Sequence, residues 1–174
     1  MKFRTLLAIP LLFAAMTIPA LAADVKVDYN HSTNFNTIKT YSWAEVHTSN
    51  SIWDARVKDA VNKELAAKGW VQVPTGGDVA LVAVRKVSVQ QAYDTTYAGF
   101  GGRRWGGGMG DSISTVDNYK VGTLIVNIFD APSRQLIWRA TSDTDLAGNP
   151  DKNAKNLDSD IDKMFKKFPV KAAS

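Results

Sequence analysis

Val121-Gly122-Thr123-Leu124-Ile125-Val126-Asn127-Ile128-Phe129-Asp130, turning through Ala131-Pro132-Ser133 towards Leu136-Ile137-Trp138-Arg139-Ala140, decides the fold of this chain. Leu124, Val126 and Ile128 alternate with Ile125, Asn127 and Phe129, and after the turn Leu136, Trp138 and Ala140 share one face. Alternation at period two on both sides of a short turn predicts a hairpin from Val121 to Asp145. Upstream, Asp78 to Tyr97 alternates for 20 residues. Its start, with Val79, Leu81 and Ala83 on one side and Ala80, Val82 and Val84 on the other, predicts a central strand buried on both faces. Strands usually run about 3 to 10 residues, so a bend or bulge is expected within it.

Between these runs lies Gly99 to Gly110, with seven glycines in twelve residues, which forms no regular element. Ile113 to Tyr119 then resumes alternation. The run, the loop (98–112) and the resumed strand read together as a long hairpin with a glycine-rich tip.

Working outward, Trp53, Val57, Ala60, Val61 and Leu65 recur at helical spacing, with Ser51 as the expected N-cap and Gly69 as the stop. A second helix is expected from Asn149-Pro150, with an apolar stripe of Ala154, Leu157, Ile161, Met164, Phe165 and Phe168 ended by Pro169. Asp158, Asp160 and Asp162 are assigned to its solvated face. At the front, Val25, Val27 and Tyr29 form an alternating strand, and Lys39 to Trp43 a second one. Phe35 and Ile38 are expected to turn inward between them. Trp43, Trp53, Trp70 and Trp138 all fall on core elements. The order β-β-α-β-β-β-β-α predicts a single α+β domain over 23–174: a mostly antiparallel or mixed sheet with two amphipathic helices packed on it.

Residues 1–22 are excluded from that domain. Lys2 and Arg4 precede an apolar run from Leu6 to Ile18, and Ala20-Leu21-Ala22 supplies the small residues of a cleavage site, the pattern of a secretory signal peptide. The run is shorter than the ~20 residues of a spanning helix. The mature chain is therefore expected to be exported and soluble in the periplasm, without a transmembrane segment. Without Lys2 and Arg4, 19 basic residues face 17 acidic ones, a small and dispersed excess that argues against nucleic acid as a partner. The absence of cysteine excludes disulfides, thiolate metal sites and a lipid-acceptor residue.

Several segments together resemble a bacterial family known as domain of unknown function 4136. They are Val27-Asp28-Tyr29 with Phe35 and Lys39-Thr40-Tyr41-Ser42-Trp43, Glu64-Leu65-Ala66-Ala67-Lys68-Gly69-Trp70, and Asp78-Val79-Ala80-Leu81-Val82. The stretch Gly122 to Asp130 leading to Leu136 to Ala140 carries the resemblance furthest, and Met164 to Pro169 completes it. The resemblance implies a fold and an exported, often lipoprotein-like address, and no catalytic residue. This chain departs from it in lacking the lipid-acceptor cysteine, and in carrying Pro132 and Arg134 where such turns commonly have glycine.

Few residues point to covalent chemistry. His31 and His47 are assigned to solvated loops, and no Gly-x-Ser-x-Gly elbow or His-Glu-x-x-His spacing occurs. Asp143 and Asp145, two apart on a strand, face the same side and form the candidate acidic site of an alternative reading, a metal-dependent enzyme or small-ligand binder. Ca²⁺ takes 6–8 oxygen ligands and no dense acidic loop accompanies the pair, so a polar strand end is the favoured account. Arg139 is expected on the face opposite Trp138, paired with a carboxylate. The glycine-rich loop lacks the spacing of a phosphate cradle. It does carry Phe100, Arg103, Arg104 and Trp105, residue types that stack on sugar rings, grip carboxylates and anchor protein interfaces. The function expected is that of a non-enzymatic envelope accessory or binding protein that needs no cofactor. Its partner would be an envelope protein or glycan, held by those four residues.

Overall fold

The structure, a computed structural model, describes residues 24–97 and 112–170. It is an α+β domain. Strands β1 (Asp24–Tyr29), β2 (Thr40–His47), β3 (Val71–Gln72), β4 (Val79–Tyr97), β5 (Ser112–Asp130) and β6 (Leu136–Asp145) form one sheet in the order β1-β6-β5-β4-β2-β3. The sheet is mixed. β1, β6, β5 and β4 are mutually antiparallel neighbours, whereas β2 runs parallel to both β4 and β3. Helix α1 (Ser51–Ala67) makes the crossover from β2 to β3, and α2 (Pro150–Lys166) follows β6.

Both helices form where their apolar spacing places them, and side chains define their ends. Asn50, rather than Ser51, caps α1: its side chain accepts from Trp53 N and leaves Ser51 as the first helical residue. Gly69, at φ 82°, closes the helix, with Gly69 N donating to Ala66 O and Trp70 N to Leu65 O. That pair of bonds needs the left-handed backbone that glycine adopts without cost. Asn149 caps α2 by accepting from Asp151 N and Lys152 N, with Pro150 in the first turn.

The helices cover one face of the sheet. Val57, Val61 and Leu65 of α1 and Leu157, Ile161, Met164 and Phe165 of α2 pack with Tyr41, Val79, Leu81, Ala83, Leu124, Val126, Ile128, Trp138 and Ala140. Phe35, Ile38, Trp70 and Phe168 join this core as well. Trp43 and Trp53 pack against it while partly exposed. On the opposite face Ala80, Val82, Val84, Ile125 and Phe129 are only half-buried, so the start of β4 is fully covered on one side and not on both.

Two sequence expectations are corrected. Residues 112–130 form one strand rather than two, and the sixth strand is the short β3. β4 and β5 pair without interruption from Val79↔Asp130 to Tyr97↔Ser112, so the long run contains no bulge against β5. Register shifts fall instead between Trp43 and Glu45 on β2 and between Ile128 and Phe129 on β5. An uninterrupted run is possible because β2 stops opposite Val84 and β6 opposite Val121, which frees the remainder to twist as a two-stranded ribbon.

Candidate functional site

The ribbon and its base are the parts of the fold that no packing demand explains. Past Ser88↔Val121, nine further pairs run from Val89↔Lys120 to Tyr97↔Ser112 with no third strand among the described residues beside them. At ~3.3 Å per residue the overhang extends about 30 Å. Val87 and Val89 stand on its helix-facing side, 47% and 63% exposed. On the other side the Tyr119 hydroxyl donates to Gln90 Oε1 at 3.1 Å. Phe100, Arg103, Arg104 and Trp105 lie outside the described residues, as do residues 1–22, expected to be a signal peptide, and the glycine-rich stretch itself.

Where the ribbon leaves the body, α1, α2 and the sheet meet around Arg85. This residue continues the side of β4 that carries Val79, Leu81 and Ala83, so alternation directs it under the helices. Its guanidinium lies over the Trp53 ring at 4.3 Å from the centroid, and Arg56 approaches the same ring at 4.8 Å. Burial pulls the Arg85 pKa below its ordinary value, and the nearby Asp160 carboxylate opposes that shift. Beside it Gly122 leaves room: a Cβ there would come within 3.0 Å of Leu146 Cδ2 and 3.2 Å of Arg85 Nη2.

Asp160 is the residue the sequence reading misplaced. It is 6% exposed, not solvated, and its Oδ2 accepts a short hydrogen bond from the Thr144 hydroxyl. Thr144 is in turn 3.4 Å from Ser142, itself buried on β6. The signal was present in the chain. Asp160 lies three residues after Leu157 and four before Met164, inside the apolar stripe rather than opposite it.

The other predicted residues are dispersed. Asp143 and Asp145 share the uncovered face of the sheet and are exposed, and Asp143 Oδ1 accepts from Thr123 Oγ1 at 2.6 Å. Among the described residues no three His, Asp or Glu side chains group as metal ligands. Arg139 does face away from Trp138, but its Nε donates to Asn127 Oδ1 at 2.8 Å rather than pairing with a carboxylate. The amide stands directly opposite on β5, and the register that pairs Asn127 with Arg139 delivers it. His31 is exposed with its ring 4.4 Å from that of Tyr29, and His47 ends β2 instead of lying in a loop. No helix among the described residues is long and apolar enough to cross a membrane.

Solved structures share this fold at low sequence identity. A PDZ domain protein from Parabacteroides distasonis superposes with a TM-score of 0.59 at 10% identity, over 87% of this chain and 36% of that one. This chain thus spans about a third of that protein. A PelC dodecamer from Paraburkholderia phytofirmans superposes with a TM-score of 0.53 at 12% identity, over 88% of this chain and all of that one (100%). No curated protein matches the sequence. The family model described as domain of unknown function (DUF4136) matches residues 25–170, from the first buried residue of β1 to just past the end of α2, and the chain belongs to that family.

Proposed function

We propose that this chain is an exported, non-enzymatic accessory protein of the bacterial envelope. It recognises a protein or acidic-glycan partner through Phe100, Arg103, Arg104 and Trp105. The observation that supports this reading is the unbroken β4–β5 register, which carries the two ends of the intervening segment away from the helices and the core. An isolated two-stranded ribbon is marginally stable in water, so building nine unsupported pairs is a cost that a partner's contacts would offset. Aromatic and arginine side chains at the far end of such an arm would provide stacking faces and bidentate donors. Recognition of this kind requires no covalent step. The signal peptide pattern of residues 1–22 supports the address.

Capture from envelope extract and from purified peptidoglycan tests the reading. The mature chain is expected to retain a partner that is lost when Phe100, Arg103, Arg104 and Trp105 are all changed to Ala, with the melting temperature nearly unchanged. Capture by the quadruple variant equal to wild type would remove these residues from the function.

A further inference from the structure

The sheet guards its two outer edges but not the edge that β4 presents along the ribbon. β3, at one side of the sheet, is two residues long. On β1, at the other, Lys167 Nζ donates to Val25 O at 2.7 Å. Very short edge strands and lysines laid against an edge are common ways to block pairing with a second chain. No such covering lies beside the outer part of β4 among the described residues. β2 accompanies β4 only as far as Val84, so the lane from Arg85 outward is empty among them. Residues 86–97 contain neither proline nor glycine, and Lys86 and Asp94 are their only charges.

Those two charges are placed symmetrically. Lys86 lies four residues before Gln90, and Asp94 four residues after it. An antiparallel pairing of this edge with itself, about a two-fold axis at Gln90, sets Lys86 of each copy opposite Asp94 of the other. Their spacing is even, so the paired positions fall on one face of the combined sheet. Lys86 is exposed and has no ion pair among the described residues, which leaves its ammonium available for this contact. Gln90 comes to stand opposite its own copy. Its Oε1 accepts from the Tyr119 hydroxyl, so its amide N–H groups are left to face the second copy. Val87 comes opposite Tyr93, a β-branched and aromatic pairing of the kind that stabilises neighbouring strands. The seam runs from Arg85 to Thr95 and stops at the end of the second copy's β2.

The other edge of the ribbon does not offer the same match. On β5, Asp117 and Lys120 are three residues apart, an odd spacing that puts them on opposite faces and prevents a reciprocal pair. Leu146 N also already donates to Lys120 O at 2.7 Å. We propose that the chain forms a two-fold dimer in which residues 85–95 of β4 pair antiparallel with those of a second copy. The two ribbons then join into one four-stranded sheet. The contact uses none of residues 98–111 and stands apart from the reading of the arm.

Sedimentation equilibrium of the chain without residues 1–22, at low ionic strength, tests the dimer. A monomer–dimer equilibrium is expected. Lys86→Asp and Asp94→Lys each turn both attractive pairs into like-charge pairs, and each should weaken self-association by about tenfold or more. Mixed in equal amounts, the two variants should associate with each other about as tightly as wild type, because each supplies the charge the other lacks. The double variant should likewise dimerise as wild type does, and it decides the matter if either single variant fails to fold. Melting temperatures near that of wild type report that the variants are folded. A wild type still monomeric at about 1 mM would overturn the proposal. So would self-association unchanged by both substitutions, or left weak in the mixture and in the double variant.

Discussion

The two halves of β4 carry the same alternation and end in opposite environments. Val79, Leu81 and Ala83 are fully buried, whereas Val87 and Val89, on the same side of the same strand, stand 47% and 63% exposed. The difference lies in the neighbours. As far as Val84 the strand has β2 on one edge, β5 on the other and the helices above; from Val89 onward only β5 remains among the described residues. Period-two spacing states which way a side chain faces, and only the ends of neighbouring elements state whether anything covers it.

The sharpest way to break this comparison is to remove equivalent apolar groups from each half. Leu81→Ala empties a site with no solvent contact and should cost about 2–5 kcal/mol in urea unfolding. Val89→Ser, eight residues further along the same face, should stay within about 0.5 kcal/mol. Comparable losses would mean that the ribbon is packed against something in solution and is not an overhang.

A smaller effect is expected at the anchored end of β4, where Asp78 ties this strand to β2. Its Oδ2 accepts from Lys39 N at 2.9 Å and Thr40 N at 2.8 Å, while its own amide donates to Thr40 Oγ1 at 3.0 Å. The two backbone bonds, and then the Thr40 hydroxyl, hold its pKa below the usual 3.8. A carboxylate depressed in the folded state contributes stability that is fully present above 3.8 and is lost as pH falls through the lower folded value. Asp78→Asn should therefore melt below wild type at neutral pH, and the gap should narrow as pH drops beneath about 3.8. A gap constant with pH would show that the Asp78 carboxyl ionises alike in the folded and unfolded chains. No counterpart is expected in the ribbon half.

What was legible divides along the same line as β4. The stripes Val57-Val61-Leu65 and Leu157-Ile161-Met164-Phe165 fix both helices and their buried faces, because that spacing is a local property of the chain. The continuity of β5 was not legible, since Lys120 interrupts the apolar pattern where a strand leaves the covered sheet for solvent, and polar residues there resemble a turn. β3 is two residues held by β2 alone, too short to carry any periodicity. At the candidate sites, the same-side placement of Asp143 and Asp145 follows from alternation. Asp160 is buried although its residue type points to solvent, because its place in the apolar stripe turns it inward. The partner it meets, Thr144, comes from another element and leaves no mark at the helix itself.

The smallest expected effect sharpens a second contrast, between the two connections of β5. At the end remote from the ribbon the chain turns tightly through 131–135. Asp130 Oδ2 accepts from Ser133 N at 2.9 Å and from its hydroxyl at 2.5 Å, and Arg134 N donates to Asp130 O at 2.8 Å. Arg134 must take φ 58° to close this turn, a left-handed conformation costing a non-glycine residue about 1–2 kcal/mol. Arg134→Gly relieves that strain but gives the unfolded chain more freedom, worth roughly 0.5–1 kcal/mol in the opposite sense. The net expectation is a stabilisation of about 0.5 kcal/mol, read as a small rise in the urea midpoint at unchanged slope. Since the turn lies at the opposite end of β5 from the ribbon, partner capture should not change. A loss of stability would show that the Arg134 side chain itself braces the turn, and a loss of capture would show that recognition reaches both ends of the sheet.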